Sequence, residues 1–319
     1  MPWSRPWMMQ EFVSSTGENI GLGFIVIIFI GFLIGAALLA RKNLRLGRGD
    51  RRGAVRLSLF VLAVTVLAWI IGADHSPTVD EIARVFYLAI SQALCLAALV
   101  WLLYVAVEPY VRRRWPEMMV SWSRVLAGQW RNPLVARDIL IGLLTGILCS
   151  ILLRLEDLLR LLIGALPIDL QNSFPINSWV GTRRFIDTVF VAEMNSAIFI
   201  GLFFFFVLFL LRVITRRRWA AAILLAVILS VPGLVGSQSY LVVFTSVVIA
   251  IVAARFGLLA LTVLFFFNDF MLMIDNFAPW FVSYAIVSYV FVLALAGWAF
   301  HTSLGGQKLF SVTFLESDE

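Results

Sequence analysis

Charged residues are scarce in this chain. They make up 14% of its 319 residues, against about 25% in an ordinary soluble domain. Apolar residues make up 61%, and the mean hydropathy is +0.96. So much apolar surface excludes a soluble globular domain and predicts a polytopic integral membrane protein. The fold class that we expect is all-α, a bundle of transmembrane helices.

Residues that carry catalysis or bind metals are also few. The chain has two histidines, His75 and His301, and two cysteines, Cys95 and Cys149, and both cysteines lie inside apolar runs. It contains no GxGxxG, no GxxxxGK[ST], no HExxH, no GxSxG and no CxxC. We therefore predict that the chain is not an enzyme, holds no metal or cofactor, and has no disulfide framework.

Nine apolar runs approach the length of about 20 residues that a helix needs to cross a hydrocarbon core of roughly 30 Å. They are Ile20–Ala40, Leu57–Ile71, Ala83–Val107, Ile139–Leu153, Thr188–Leu211, Trp219–Val235, Tyr240–Ala254, Phe256–Ile274 and Trp280–Phe300. The predicted domains are an extracytoplasmic tail over 1–19, one transmembrane domain over 20–303 and a cytoplasmic tail over 304–319.

The basic residues alternate with these runs as the positive-inside rule requires. If the N-terminus lies outside and the C-terminus inside, the inner segments hold most of the 25 lysines and arginines. The basic block ARKNLRLGRGDRRGAVR over 40–56 is then a cytoplasmic turn. It lacks the strand-loop-helix context of a phosphate-binding loop, and we expect no nucleic-acid partner despite the net charge of +6.

The inner segment over 108–138 has the pattern of an amphipathic helix. Pro116 suits a first helical turn, and Met118, Trp122 and Val125 recur at helical spacing. The candidate docking residues for anionic headgroups or for a protein partner are Arg112, Arg113, Arg114, Trp115 and Trp122. Two interpretations stay open: an interfacial connector, and a surface that couples a cytoplasmic domain to the membrane.

The outer segment over 154–187 begins with charged residues set among leucines, in LLRLEDLLRLLIGAL over 152–166. Glu156 and Arg160 form a favourable pair one helical turn apart. We expect a second surface-lying helix here, closed by Pro167 and followed by an outer loop.

Four polar residues are placed at membrane depth: Glu193 and Asn195 in the fifth run, and Asn268 and Asp269 in the eighth. An ionisable group there costs at least about 2.5–3.5 kcal/mol, so it is usually retained for a partner. One interpretation is a shared site for a ligand or an ion. The other is that these residues reach the outer interface or form hydrogen bonds between helices.

Two GxxxG spacings, Gly31 to Gly35 and Gly142 to Gly146, permit close approach of helices. The spacing is frequent by chance, so it only weakly indicates a homodimer.

Three longer stretches carry a resemblance to a known family. They are ARKNLRLGRGDRRGA in the first inner loop, LYVAVEPYVRRRWPEMMVSWSRVLAGQWRNPLVARDIL after the third run, and FHTSLGGQKLF near the C-terminus. Together they resemble the membrane-embedded C-terminal region of acidobacterial serine/threonine protein kinases. The resemblance implies a bacterial cytoplasmic membrane and a link to signalling. The kinase motifs themselves are missing, so no kinase activity is implied for this chain.

Three functions remain after these steps. The favoured one is a non-catalytic sensor, anchor or partner-binding module, for which we expect Glu193 and Asp269 to lie apart or at the outer interface. The second is a channel or secondary transporter for a small solute or ion that uses the same two carboxylates. The third is a structural subunit of a larger membrane complex.

Overall fold

The computed structural model describes residues 16–72, 83–164, 181–232, 234, 240–273 and 282–305. Within these ranges all regular secondary structure is helical. The all-α membrane class is thereby confirmed. Most of the predicted extracytoplasmic tail, much of the outer loop and nearly all of the cytoplasmic tail lie outside the described residues.

Six helices are long and apolar enough to cross a membrane. They are α1 (Thr16–Arg45), α2 (Arg51–Gly72), α3 (Ser91–Arg114), α5 (Pro133–Leu162), α6 (Thr182–Thr215) and α10 (Val282–Ser303). Three further apolar helices are shorter: α7 (Arg218–Pro232), α8 (Val242–Arg255) and α9 (Leu258–Met273). Each apolar run predicted from the sequence overlaps one of these nine helices.

π-Helical segments adjoin one of the long helices and lie within another. Val85–Ile90 leads into α3, and Ile186–Ala192 lies inside α6. A π-helical turn carries an extra residue per turn and so changes the face that the following residues present; such turns are frequent at functional sites.

Helix ends collect in two layers. At the basic end, the Glu117 carboxylate lies 3.5 Å from the Arg218 guanidinium, and Gly257 packs against the backbone of Met118. At the opposite end, the hydroxyls of Thr182 and Tyr284 are 3.0 Å apart. From α1 to α6 the consecutive long helices therefore run antiparallel, whereas α6 and α10 begin at the same end and run parallel.

The basic block over 40–56 is a tight turn between α1 and α2. Gly47 and Gly49 have φ angles of +63° and +112°, which L-residues with side chains rarely adopt. The Asp50 side chain then caps α2 by accepting a hydrogen bond from the Gly53 amide at 2.9 Å. The expectation of a tight turn is confirmed.

A close helix crossing joins α5 to α9 and depends on glycine. A methyl group on Gly142 would lie 2.6 Å from the Ala260 carbonyl oxygen, and one on Gly146 would lie 2.6 Å from that of Leu264. This GxxxG spacing therefore serves contact within the chain, and it gives no support to a homodimer.

The expectation of a separate surface helix over 152–166 is wrong. α5 continues without a break to Leu162, because its charged residues hold the ends of neighbouring helices. The Glu156 carboxylate accepts hydrogen bonds from the amides of Tyr240 and Leu241, at 2.8 and 3.0 Å, just before α8 begins. Arg154 donates to the Leu272 carbonyl near the end of α9.

The hydrophobic core is built mainly from α3, α6 and α9, around buried Tyr104, Phe205 and Phe206. The outward faces of the peripheral helices stay apolar and exposed, as with Ile27 on α1 and Leu293 on α10. Such faces fit a lipid environment.

Candidate functional site

The polar residues of α6 lie directly after its π-helical segment. Glu193 is the first residue after that segment, and both it and Asn195 are buried, with 9% and 5% of their surfaces exposed. Residues two apart on a helix point in different directions. The two side chains accordingly contact different helices.

Glu193 faces α9, where its carboxyl group interacts electrostatically with that of Asp269. Asp269 also accepts a hydrogen bond from the neighbouring side chain, from Asn268 Nδ2 to Asp269 Oδ1 at 2.7 Å. The structure therefore brings three of the four predicted residues together. The expectation was that Glu193 and Asp269 lie apart or at the outer interface. They do not lie apart, because the antiparallel contact of α6 and α9 brings them together, and their position at the outer interface stays a prediction.

Asn195 turns away from this pair toward α2. Its Nδ2 donates to the Thr65 hydroxyl oxygen at 2.9 Å, and that hydroxyl donates in turn to the Val61 carbonyl at 2.7 Å. The predicted hydrogen bond between helices is therefore present at Asn195.

Several oxygen acceptors in this region have no hydrogen-bond donor among the described residues. They are Glu193 Oε2, Asn195 Oδ1, Asn268 Oδ1 and Asp187 Oδ1. Buried polar atoms are normally hydrogen-bonded, so a group of acceptors without donors needs a physical explanation. Such a group of acceptors favours a site for a cation or for a ligand that donates hydrogen bonds.

Toward the basic end, the buried face of α6 becomes apolar. Leu202, Phe205 and Phe206 are at most 2% exposed, and Phe204 stacks on Phe265 of α9 with ring centroids 5.8 Å apart. This layer separates the carboxyl pair from the arginines at the end of α6.

The candidate docking residues at the basic end divide into exposed and enclosed side chains. Arg112, Arg113 and Arg114 are exposed, and Arg112 also lies 3.2 Å from the buried carboxylate of Glu108. Trp115 is half-buried: the Arg212 guanidinium lies 3.6 Å from its ring centroid, so this indole holds another side chain.

The prediction for Trp122 is wrong. It was expected to contact headgroups or a partner, but only 5% of its surface is exposed. The helix that carries it, α4 (Val120–Leu126), is preceded by a 3₁₀ turn over Pro116–Met118. Met118, Met119 and Trp122 belong to the protein core. The segment is helical as predicted and too short to cross a membrane, but its apolar face meets protein instead of lipid.

Sequence reasoning missed the buried polar contacts that hold the basic end together. Pro109 lies inside α3 and has no N–H to donate to the carbonyl of Val105. Asn43 of α1 donates there instead, at 2.9 Å, and to Ala106 at 3.2 Å. The one signal in the sequence was a proline in the middle of an apolar run, since the carbonyl that it frees needs another donor.

Two buried carboxylates complete this layer. Glu108 accepts a hydrogen bond from the Asp50 amide at 3.0 Å, which ties the α1–α2 turn to α3. Asp138 of α5 accepts one from the Ser121 hydroxyl, and its other oxygen lies 2.9 Å from Arg137. We therefore assign Glu108 and Asp138 structural roles.

The described residues contain no group of three or more His, Cys, Asp or Glu side chains that could hold a metal ion. In comparisons with known proteins, no family model, no curated protein and no solved structure matches this chain. Nothing in them links the chain to the membrane regions of protein kinases, so that resemblance stays a prediction.

Proposed function

We propose that the chain is a non-catalytic multi-pass module of a bacterial cytoplasmic membrane, with nine spans, the N-terminus outside and the C-terminus inside. The three short helices α7, α8 and α9 complete the count. A helix of 14–16 residues is about 21–24 Å long, and each of them packs against at least one longer helix. The basic end of the bundle is then the cytoplasmic face.

The function that we propose is docking: the cytoplasmic face binds an acidic partner protein and anchors it at the membrane. The observation that carries this proposal is a patch of exposed arginines on a rigid support, which we call the arginine patch: Arg112, Arg113, Arg114, Arg216, Arg217 and Arg218. The stacking of Arg212 on Trp115 and the Glu117–Arg218 pair hold the ends of α3 and α6 side by side. Rigid, exposed guanidinium groups suit the recognition of carboxylates.

The orientation is tested by cysteine accessibility in intact cells, in a background without Cys95 and Cys149. A cysteine in place of Ser76 or Ser173, which lie outside the described residues, should react with an impermeant thiol reagent. One in place of Ser123, which is exposed at the basic end, should react only after the cells are opened. The opposite pattern would reverse the orientation.

Docking is tested by placing a photoreactive amino acid at Arg114. We expect one discrete adduct with a cytoplasmic protein, and we expect it to weaken when Arg217 and Arg218 are both changed to glutamate. The matched control is the same photoreactive residue at Leu293, on the apolar face of α10, where 71% of the side chain is exposed and only lipid adducts should form. If Arg114 behaves like Leu293, docking at this patch is excluded.

A second candidate function is transport of a small solute or ion. The contact between Glu193 and Asp269 favours it, because paired acidic groups at membrane depth commonly mark ion or proton pathways. Against it stands the apolar layer around Phe205 and Phe206.

This candidate is tested by flux into vesicles that contain the purified protein. Transport through the pair requires that Glu193→Gln abolish flux, whereas Glu117→Gln, at a carboxylate that is 57% exposed at the basic end, should leave flux intact. If the unmodified protein and Glu193→Gln give equal flux, transport through this pair is ruled out.

A further inference from the structure

An open groove lies at the basic end of the bundle, where the chain turns from α4 into α5. Its volume is about 470 Å³, and its lining is one continuous stretch of chain: Gly128, Gln129, Trp130, Arg131, Asn132 and Pro133. Gly128 has a φ angle of +80°, which lets the chain reverse direction directly after α4. The side chains of Gln129, Trp130 and Arg131 are exposed. The groove is therefore accessible to a ligand from outside the protein.

Contacts within the chain hold this groove in shape. Asn132 Oδ1 accepts hydrogen bonds from the Leu134 amide at 3.0 Å and from the Arg124 guanidinium at 2.6 Å. Gly305, just after α10, lies beside the groove, where a methyl group on it would be 3.5 Å from the Pro133 side chain. The Leu134 amide at the start of α5 is thus already occupied, so a ligand has to be recognised by the exposed side chains.

The charge around the groove is positive. Arg131 is exposed, and no acidic side chain among the described residues forms an ion pair with it. Over 118–155 the chain has a single acidic residue, Asp138, which is 2% exposed and accepts hydrogen bonds from Ser121 and Arg137. An exposed guanidinium without a carboxylate partner suits a phosphate group, to which it can donate two parallel hydrogen bonds.

An exposed apolar face of α5 begins beside the groove. Leu134, Leu144, Leu148 and Ile151 are all exposed. Arg137, Leu144 and Ile151 are spaced by seven residues, so they share one face of the helix. At 1.5 Å per residue, Leu144 lies about 10 Å further along α5 than Arg137. A molecule with a charged head in the groove can therefore extend an apolar tail along α5.

Exposed tryptophans mark the depth of the groove in the membrane. The indole of Trp130 is 52% exposed, and that of Trp298, in the last two turns of α10, is 37% exposed. Indole side chains are enriched at the level of the lipid headgroups, because the ring is apolar and its N–H is polar. The groove, which lies beside the end of α10, is therefore at the headgroup level of one leaflet.

We propose that this groove binds the phosphate headgroup of an anionic phospholipid, whose acyl chains lie along the exposed face of α5. Arg131 pairs with the phosphate, Gln129 donates to the polar headgroup, and Trp130 packs against the glycerol backbone. An acidic protein would account for the arginine but not for the apolar face that continues from it. The site goes beyond the proposed function, because none of its lining residues belongs to the arginine patch.

Photolabelling by lipids tests the site. The full chain is placed in phosphatidylcholine nanodiscs that contain a small fraction of either phosphatidylglycerol or phosphatidylcholine with a photoreactive group in one acyl chain. Mass spectrometry then locates the adducts. We expect phosphatidylglycerol to label the peptide with Leu144 and Leu148 about fivefold more than phosphatidylcholine does, the effect of one cation near the membrane surface.

Variants at exposed arginines show which charge is responsible. Arg131→Gln should lower the labelling by phosphatidylglycerol about fivefold, to the level of phosphatidylcholine. The matched control is Arg48→Gln, which removes an exposed charge from the α1–α2 turn and should leave the labelling unchanged. Equal labelling of the unmodified protein by the two lipids would overturn the proposal. A preference for phosphatidylglycerol that survives Arg131→Gln would overturn it too.

Soluble glycerol phosphate in excess distinguishes a lipid site from a site for a free phosphate. It lacks acyl chains, so we expect it to leave the labelling by phosphatidylglycerol unchanged. If it abolishes that labelling, the groove binds a free phosphate and the lipid proposal is wrong.

A photoreactive amino acid at Leu134, which is 38% exposed beside the groove, tests the site without changing its charge. We expect adducts with phosphatidylglycerol at this position. A protein adduct in their place would assign the groove to protein docking and contradict the lipid site. Failure of docking at Arg114 leaves the lipid adducts at Leu134 unaffected, so the two proposals can fail separately.

Discussion

The basic end and the α6–α9 seam both bury carboxyl groups, but their hydrogen bonds differ. At the basic end, Glu108 accepts from the Asp50 amide and pairs with Arg112. At the seam, the carboxyl group of Glu193 faces that of Asp269, and Glu193 Oε2 has no hydrogen-bond donor among the described residues. Satisfied polar groups fix a structure, whereas a buried unsatisfied group needs a physical explanation.

The two GxxxG spacings have the same sequence pattern, but their glycines have different surroundings. In α5 the two glycines meet the backbone of α9, whereas Gly31 of α1 has open space around it. Spacing alone therefore does not tell which glycines carry a helix crossing, because the contact depends on which face of the helix turns inward.

The largest effect that we expect is at this crossing. Gly142→Val should destabilise the protein by about 3 kcal/mol, because the new side chain has no room against Ala260 and Val263. Gly31→Val is the matched control and should change stability by less than about 0.5 kcal/mol. Thermal unfolding in detergent measures both. Equal losses for the two variants would mean that α5 and α9 do not cross at Gly142.

The next prediction compares the buried carboxyl groups of Glu108 and Glu193 by changing each residue to glutamine. Glu108→Gln should lower the free energy of unfolding by about 1–2 kcal/mol. The NH2 group of the glutamine donates and cannot accept, so either the Asp50 amide or the Arg112 guanidinium loses its acceptor. Glu193→Gln should be close to neutral, because Glu193 Oε2 has no described donor to lose and the change removes one of two acidic groups that face each other. The measurement is again unfolding in detergent at neutral pH. A larger loss for Glu193→Gln than for Glu108→Gln would show that the seam, too, is structural.

The smallest effect concerns the carbonyl that Pro109 leaves free. Asn43→Ala should cost about 1 kcal/mol by removing the donor to Val105. In a Pro109→Ala background the same change should cost less, because the alanine N–H at 109 then donates to that carbonyl. The measurement is a double-mutant cycle of unfolding free energies. Strict additivity would mean that Asn43 does not replace the missing N–H.

Much of the fold followed from the sequence because lipid restricts spanning structure to helices and favours a limited length. Each predicted apolar run coincides with an apolar helix of the described residues, and the basic block over 40–56 is a turn, as expected. The surface helix over 152–166 was wrong for a physical reason. Charges inside a leucine-rich run were expected to move to a membrane surface, whereas Arg154 and Glu156 instead hold the ends of α8 and α9.

The candidate site was predicted only in part. That Glu193 is buried and Asp269 is half-buried within apolar helices followed from their place in apolar runs. That they meet did not follow, since it depends on the packing of α6 against α9. Trp122 failed in the same way: its spacing predicted an apolar helix face, and the sequence contains nothing to tell whether lipid or protein covers that face.

Composition, hydropathy and the distribution of arginines thus determined by themselves that this protein is a helical membrane bundle with one basic end, because the cost of burying backbone and charge in lipid acts on each segment separately. Only the tertiary structure decided which polar groups are paired. Asn43 with the carbonyl freed by Pro109, and Glu193 with Asp269, are contacts between segments far apart in the chain, and they exist only after helix faces have packed.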